Sequence, residues 1–94
     1  FLEEFLYLIQ SGMPIDQALK NLYRVTAKAE TKFFIDRVLS GIKDGKPFSE
    51  SLEIAFVEVN YKVDSLVKAL ITIGEEIGEL DNSIARALEH MKYQ

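Results

Sequence analysis

Three glycines, Gly12, Gly45 and Gly78, stand 33 positions apart, and each closes one apolar-periodic segment just before another begins. That interval holds a helix, a turn and a second helix and little else, so the chain reads as three consecutive helical hairpins. The first segment sets Phe1, Leu2, Phe5, Leu6, Leu8 and Ile9 at helical spacing and stops at Ser11-Gly12. Pro14 suits the first turn of the next helix, where its missing N–H would be unpaired anyway, and Ile15, Ala18, Leu19 and Leu22 supply the stripe. Lys46-Pro47-Phe48-Ser49-Glu50-Ser51-Leu52 repeats the chemistry of Met13 to Leu19, with Pro47 in the place of Pro14. Gln17 and Glu50 then fall near the third helical position, where a side chain can reach back to free N–H groups.

Between Ile15 and Ser40 there is no glycine or proline. One helix over that stretch would run about 39 Å, too long for a domain of this size, whose radius of gyration is about 12 Å. A break is therefore expected between Val25 and Glu30, with Thr26 and Thr31 as its N-caps. A third helix is predicted on Phe34, Ile35, Val38, Leu39 and Ile42, with Phe33 extending its face and Asp44-Gly45 ending it. The fourth is predicted to reach about Phe56, followed by a connector over 58–62. Val63, Leu66, Val67, Leu70, Ile71, Gly74 and Ile77 form the stripe of the fifth. Asp81, or else Asn82, is expected to cap a sixth helix carrying Leu80, Ile84, Ala87, Leu88 and Met91. Gly41 and Gly74 each lie four residues before a hairpin glycine, where a missing side chain lets the partner helix come close. Ankyrin repeats share the 33-residue period and tetratricopeptide repeats come within one residue of it, but neither signature is present. The expectation is all-α: a compact six-helix bundle, one domain over residues 1–94, with turns at Gly12, Gly45 and Gly78.

Fifteen acidic against eleven basic residues give a net charge of −4, opposite to the field that a phosphate backbone demands. With no cysteine there is neither a disulfide nor a thiolate metal site. The longest apolar run, Phe5 to Ile9, falls far short of the roughly 20 residues that span a bilayer. A start at Phe1, with no initiator methionine and no leader, reads as a piece of a longer protein. No serine, histidine and carboxylate set, phosphate-cradling loop or histidine pair exists, so neither an enzyme nor a cofactor is expected. His90, the sole histidine, is read as an exposed helix residue with no following helix to pack against. Lys20, Arg24, Lys28, Lys32, Arg37, Lys43 and Lys46 gather in the middle third and are read as a solvated face.

The sharpest feature is Gly74-Glu75-Glu76-Ile77-Gly78-Glu79-Leu80-Asp81. Glu79 and Asp81 sit where a helix begins and a negative charge is favoured. Glu75 and Glu76 sit in a last turn, where the helix dipole disfavours them by about 0.3–1 kcal/mol each. Either they tolerate that penalty on an exposed face, or one of them meets a basic partner or, more weakly, joins Glu79 around a divalent cation. Glu75, Glu76, Glu79 and Asp81 are thus the candidate partner-binding residues, and replacing Glu75 and Glu76 by glutamine is expected to leave the fold's stability nearly unchanged.

Ser11-Gly12-Met13-Pro14-Ile15 through Leu19, then Val38 through Leu52, then Gly74-Glu75-Glu76-x-Gly78-x-Leu80-Asp81, together resemble the type II secretion system F domain. This is the cytoplasmic domain of the inner-membrane platform protein of type II secretion and type IV pilus machines. The resemblance covers essentially the whole chain, with Gly12, Gly45, Gly74, Glu75, Gly78 and Leu80 matching the family pattern. Ile77 replaces a small hydroxyl residue, and the Phe-Pro that commonly precedes the fifth helix has no counterpart. The resemblance implies a six-helix scaffold and coupling domain at the cytoplasmic face of the bacterial inner membrane, contacting the assembly ATPase and other inner-membrane components. A homodimer is a further expectation, with Phe1, Tyr23 and Phe33 as candidates for exposure. The alternative is a free-standing acidic helical adaptor or signalling module.

Overall fold

Leu2, Phe5, Leu6 and Ile9 repeat at the spacing that puts them on one helical face, and all four are buried in α1 (Leu2–Gln10). The computed structural model describes residues 2–92, so the expected role of Phe1 lies outside it. Five more helices follow: α2 (Ile15–Val25), α3 (Ala29–Lys43), α4 (Phe48–Glu58), α5 (Ser65–Ile77) and α6 (Leu80–Lys92). Each packs on its neighbours in sequence, and α6 returns to pack on α1. The helices therefore close a ring. A solenoid would leave its ends apart, whereas this chain has a radius of gyration of 12.3 Å and nearly equal extents of 30 × 29 × 25 Å.

The hairpin turns share one hydrogen-bond pattern. After α5, Gly78 takes φ +75°, its N–H bonds Glu75 O, and Glu79 N–H reaches back to Gly74 O at 2.8 Å. This pair of bonds satisfies carbonyls that the helix end would leave open, and it needs a left-handed residue that glycine adopts without strain. Gly12 and Gly45 close α1 and α3 in the same way. Asn60, at φ +56°, closes α4 with the same bonds, so the expected connector begins with an ordered helix end.

Two expected N-caps do not start a helix. Thr26 is the residue after α2, its N–H bonded to Leu22 O, and Thr31 lies inside the first turn of α3. The break itself falls at residues 26–28, where extended backbone separates the two helices. Helix α5 starts two residues after its apolar stripe does. Asp64 caps it, accepting from Leu66 N–H at 2.8 Å, and Val63 precedes the helix.

Nineteen apolar side chains among the described residues form one core, in which Phe5 stands edge-on to Phe48 at 5.7 Å and joins α1 to α4 across the ring. Phe34 and Phe56 pack at 4.9 Å between α3 and α4. The α5 stripe splits in two. Val67, Ile71 and Gly74 face the core, while Leu66 and Ile77, read as core, are 46% and 61% exposed. With Ile73, also half exposed, they make a second apolar row at i, i+7 and i+11 that the neighbouring helices leave uncovered. Phe33, at 48% exposure, likewise extends no core face.

Gly41 and Gly74 are points of close crossing, as the sequence predicts. A Cβ on Gly41 would come within 2.9 Å of Ser51 Cβ, and one on Gly74 would overlap the side chain of Ser83 and approach Glu79 O at 3.2 Å. Alanine would gain about 1 kcal/mol of helix propensity at position 74, but forcing a methyl into a packed crossing costs about 1–3 kcal/mol. Gly74→Ala is therefore expected to destabilise by about 1–2 kcal/mol, and adding Ser83→Gly should recover most of the loss. Urea denaturation of the two variants checks this; a higher midpoint for Gly74→Ala alone would show that α6 yields.

Candidate functional site

The α5–α6 hairpin carries the four carboxylates, and the fold separates them into one that points inward and three that do not. Glu75 stands on the α4 side of α5, above the N-terminus of α4. There Pro47 occupies the cap position and offers no side-chain acceptor, so the first N–H groups of α4 lack a local partner. Glu75 supplies one from a distance: its Oε2 accepts from Phe48 N–H at 2.6 Å, and its Oε1 accepts from Ser49 N–H at 3.1 Å and from Ser49 Oγ at 2.7 Å. These are charge-assisted bonds at the positive end of a helix dipole, which outweigh the smaller penalty of the α5 C-terminus. Glu50, predicted to reach back to these N–H groups, is exposed instead.

Glu76, Glu79 and Asp81 are exposed around the turn. An open concavity of about 480 Å³ lies beside the turn, lined by Gly74, Glu75, Gly78, Glu79, Leu80, Asp81 and Asn82 but not by Glu76. Leu80 anchors the turn by packing on the core. Helix α6 starts at Leu80, so Asp81, expected as its cap, lies inside the first turn. There its charge still faces the favourable end of the α6 dipole. Among the described residues no group of three or more aspartate, glutamate or histidine side chains stands together to hold a metal ion.

His90 is not the free surface residue that sequence reading expected. Its Nε2 lies 3.3 Å from Asp64 Oδ2, and both side chains are about one-third exposed, at 32% and 34%. The reason is topological: α6 runs back along α5, so the end of the chain finds the cap of the preceding helix. Of the basic residues in the middle third, Arg37 pairs with Glu58 at 2.6 Å. The hydrogen bond that the guanidinium donates to Glu58, then the charge of that carboxylate, raise the pKa of Arg37 above its ordinary value. Lys32 lies 5.3 Å over the Tyr23 ring, and Arg24 donates to Asn21 Oδ1 at 2.6 Å.

Sequence reasoning missed the serines. Ser49 completes the Glu75 site, and Ser51 and Ser83 are the small partners that Gly41 and Gly74 require. Asp64-Ser65-Leu66 carries a legible cap signal, which the apolar stripe beginning at Val63 masks.

The family model for type II secretion system protein F matches residues 1–94, the whole chain. Among curated proteins, the type II secretion system protein F of Vibrio cholerae serotype O1 is 25% identical over 83 residues. That alignment covers 88% of this chain and 20% of the relative, so the chain corresponds to about a fifth of that protein. Among the described residues no helix is long and apolar enough to cross a membrane.

Proposed function

This chain belongs to the type II secretion system protein F family, and we propose that it is a non-enzymatic scaffold and coupling domain of an inner-membrane platform. In this reading it lies at the cytoplasmic face, as one domain of a longer polytopic protein. It presents an acidic hairpin to the assembly ATPase and to neighbouring inner-membrane components of a secretion or pilus machine. The observation that supports it is the division of labour among the carboxylates. Glu75 is committed to capping α4, which locks the hairpin in place. Glu76, Glu79 and Asp81 stay exposed on a turn whose backbone is fixed by Gly78 and Leu80. A rigid turn carrying three outward charges suits recognition of a basic surface, since little ordering entropy is lost on contact.

Replacing the three together, Glu76→Gln, Glu79→Gln and Asp81→Asn, is expected to weaken binding of the purified assembly ATPase by about tenfold or more, since each rim charge contributes a fraction of a kcal/mol to a few kcal/mol. The melting temperature should fall by no more than about 10 °C, because each exposed substitution seldom exceeds about 0.5 kcal/mol. Unchanged affinity would remove the acidic turn from the contact.

A further inference from the structure

The face formed by α2 and α3 carries a charge opposite to the chain's net −4. Between Asp16 and Glu30 the sequence has no acidic residue, while Lys20, Arg24 and Lys28 recur every fourth position and Lys32 continues the interval into α3. In the fold, Lys20 and Arg24 edge an open groove of about 510 Å³, which Asn21 and Tyr23 line from α2 and Asp36 and Leu39 line from α3. Asp36 is the one carboxylate on its wall. Lys28 lines a separate hollow together with Glu30 and takes no part. Among the described residues none of Lys20, Arg24 and Lys32 forms an ion pair. Like charges one turn apart on a helix oppose each other, so Lys20 and Arg24 carry a cost that the fold leaves unrelieved.

The cations are also held in place. Asn21 donates through Nδ2 to Met13 Sδ at 3.3 Å, and its Oδ1 accepts from Arg24 at 2.6 Å, which fixes one edge of the guanidinium and leaves its other donors unused. Lys32 lies 5.3 Å over the Tyr23 ring, which keeps its ammonium at the groove. Tyr23 and Leu39, half-buried against the core, supply an apolar floor, and Val25 at the end of α2 is 78% exposed.

We propose that this groove binds an acidic segment of a partner protein, its carboxylates pairing with Lys20, Arg24 and Lys32 while an apolar side chain between them seats on Tyr23 and Leu39. Lys20 and Arg24 stand one helical turn apart, about 6 Å, and glutamates at i and i+4 of a partner helix repeat that spacing. Arg24 suits a carboxylate because its planar fork can bond both oxygens at once. A nucleic acid or an anionic bilayer fits less well: three cations on a chain of net charge −4 make a local patch, without the extended positive field that holds a phosphate backbone or a lipid surface. The inference goes beyond the platform reading and does not rest on it. The groove belongs to α2 and α3, whose backbones stay apart from α5 and α6, so an acidic partner here leaves the acidic hairpin open to a basic one.

The purified chain is titrated with a fluorescent helical peptide of about 15 residues, carrying glutamates four positions apart with a leucine between them, and with its glutamine counterpart. Anisotropy is expected to show saturable binding of the acidic peptide at submillimolar concentration, and binding of the glutamine peptide at least tenfold weaker. Lys20→Ala with Arg24→Ala, two exposed changes whose folding circular dichroism verifies, should weaken the acidic peptide by about tenfold or more. Lys62→Ala with Arg86→Ala removes the same charge from the connector before α5 and from α6, and should change affinity by less than about twofold. No saturation up to about 1 mM, equal binding of the glutamine peptide, or equal losses for the two double variants would overturn the proposal. So would tighter binding of single-stranded DNA or of phosphatidylglycerol vesicles, which would give the face to a phosphate.

Discussion

Replacing Phe5 with alanine is expected to lower the stability of this domain by about 3–5 kcal/mol. A domain of 94 residues has roughly 5–14 kcal/mol in all, so that change takes much of what holds it folded. The ring of Phe5 is fully buried and stands edge-on to Phe48 at 5.7 Å. It belongs to α1, and Phe48 opens α4, two helices whose backbones stay apart and which meet through these rings. Removing the ring therefore opens a void at the centre, and no single helix can shift to fill it without leaving its two neighbours. The melting temperature should fall by roughly 15–30 °C. Phe5→Leu, which keeps most of the volume, should cost much less. The double variant with Phe48→Ala should fall short of additivity by about 0.5–1.5 kcal/mol, the usual worth of an aromatic pair. A loss under about 1 kcal/mol for Phe5→Ala, read by urea denaturation, would show that the centre of the ring collapses freely.

The second large effect is expected at Glu75. Glu75→Ala removes the acceptor for two helix N–H groups and one hydroxyl. Bonds to a charged group contribute about 1.5–3 kcal/mol, and an unmet N–H at a helix start costs more than one never formed. Since Ser49 is only part-buried and water can reach it, the net loss should be about 2–4 kcal/mol. Glu75→Gln keeps one oxygen and should fall between that and the natural chain. Glu76→Gln, one position away and exposed, should change stability by no more than about 0.5 kcal/mol. Thermal denaturation of the three variants separates the roles of two glutamates that look alike in the sequence, and equal effects would remove the capping role.

The pair also marks the boundary of what the sequence discloses. The three hairpins, their turns and the close crossings at Gly41 and Gly74 were legible because each depends on residues a few positions apart. Gly78 must adopt positive φ to end a helix, and that requirement is written at Gly78 itself. The link from Glu75 to Phe48 spans 27 positions, and nothing local to either residue announces it. The dipole argument did flag Glu75 as misplaced in α5, but it could not say that the start of another helix lies beneath it. The same distance hid the contact of His90 with Asp64, 26 positions apart. The α5 stripe failed for a different reason: a helix with two neighbours in a ring covers a limited arc, and apolar residues beyond that arc, such as Leu66 and Ile77, satisfy the same periodic template.

The cap that Glu75 places on α4 has a bearing on how the molecule comes apart. A helix of the third hairpin completes one of the second, and the sixth helix completes the first, so no hairpin is whole by itself. Unfolding should then proceed as one cooperative event, without the sequential fraying of a linear array. The same interlock fixes the number of repeats. A fourth 33-residue unit would have to break the α1–α6 seam, and deleting the last would strip α4 of its cap, so this fold can vary its surfaces but not its count.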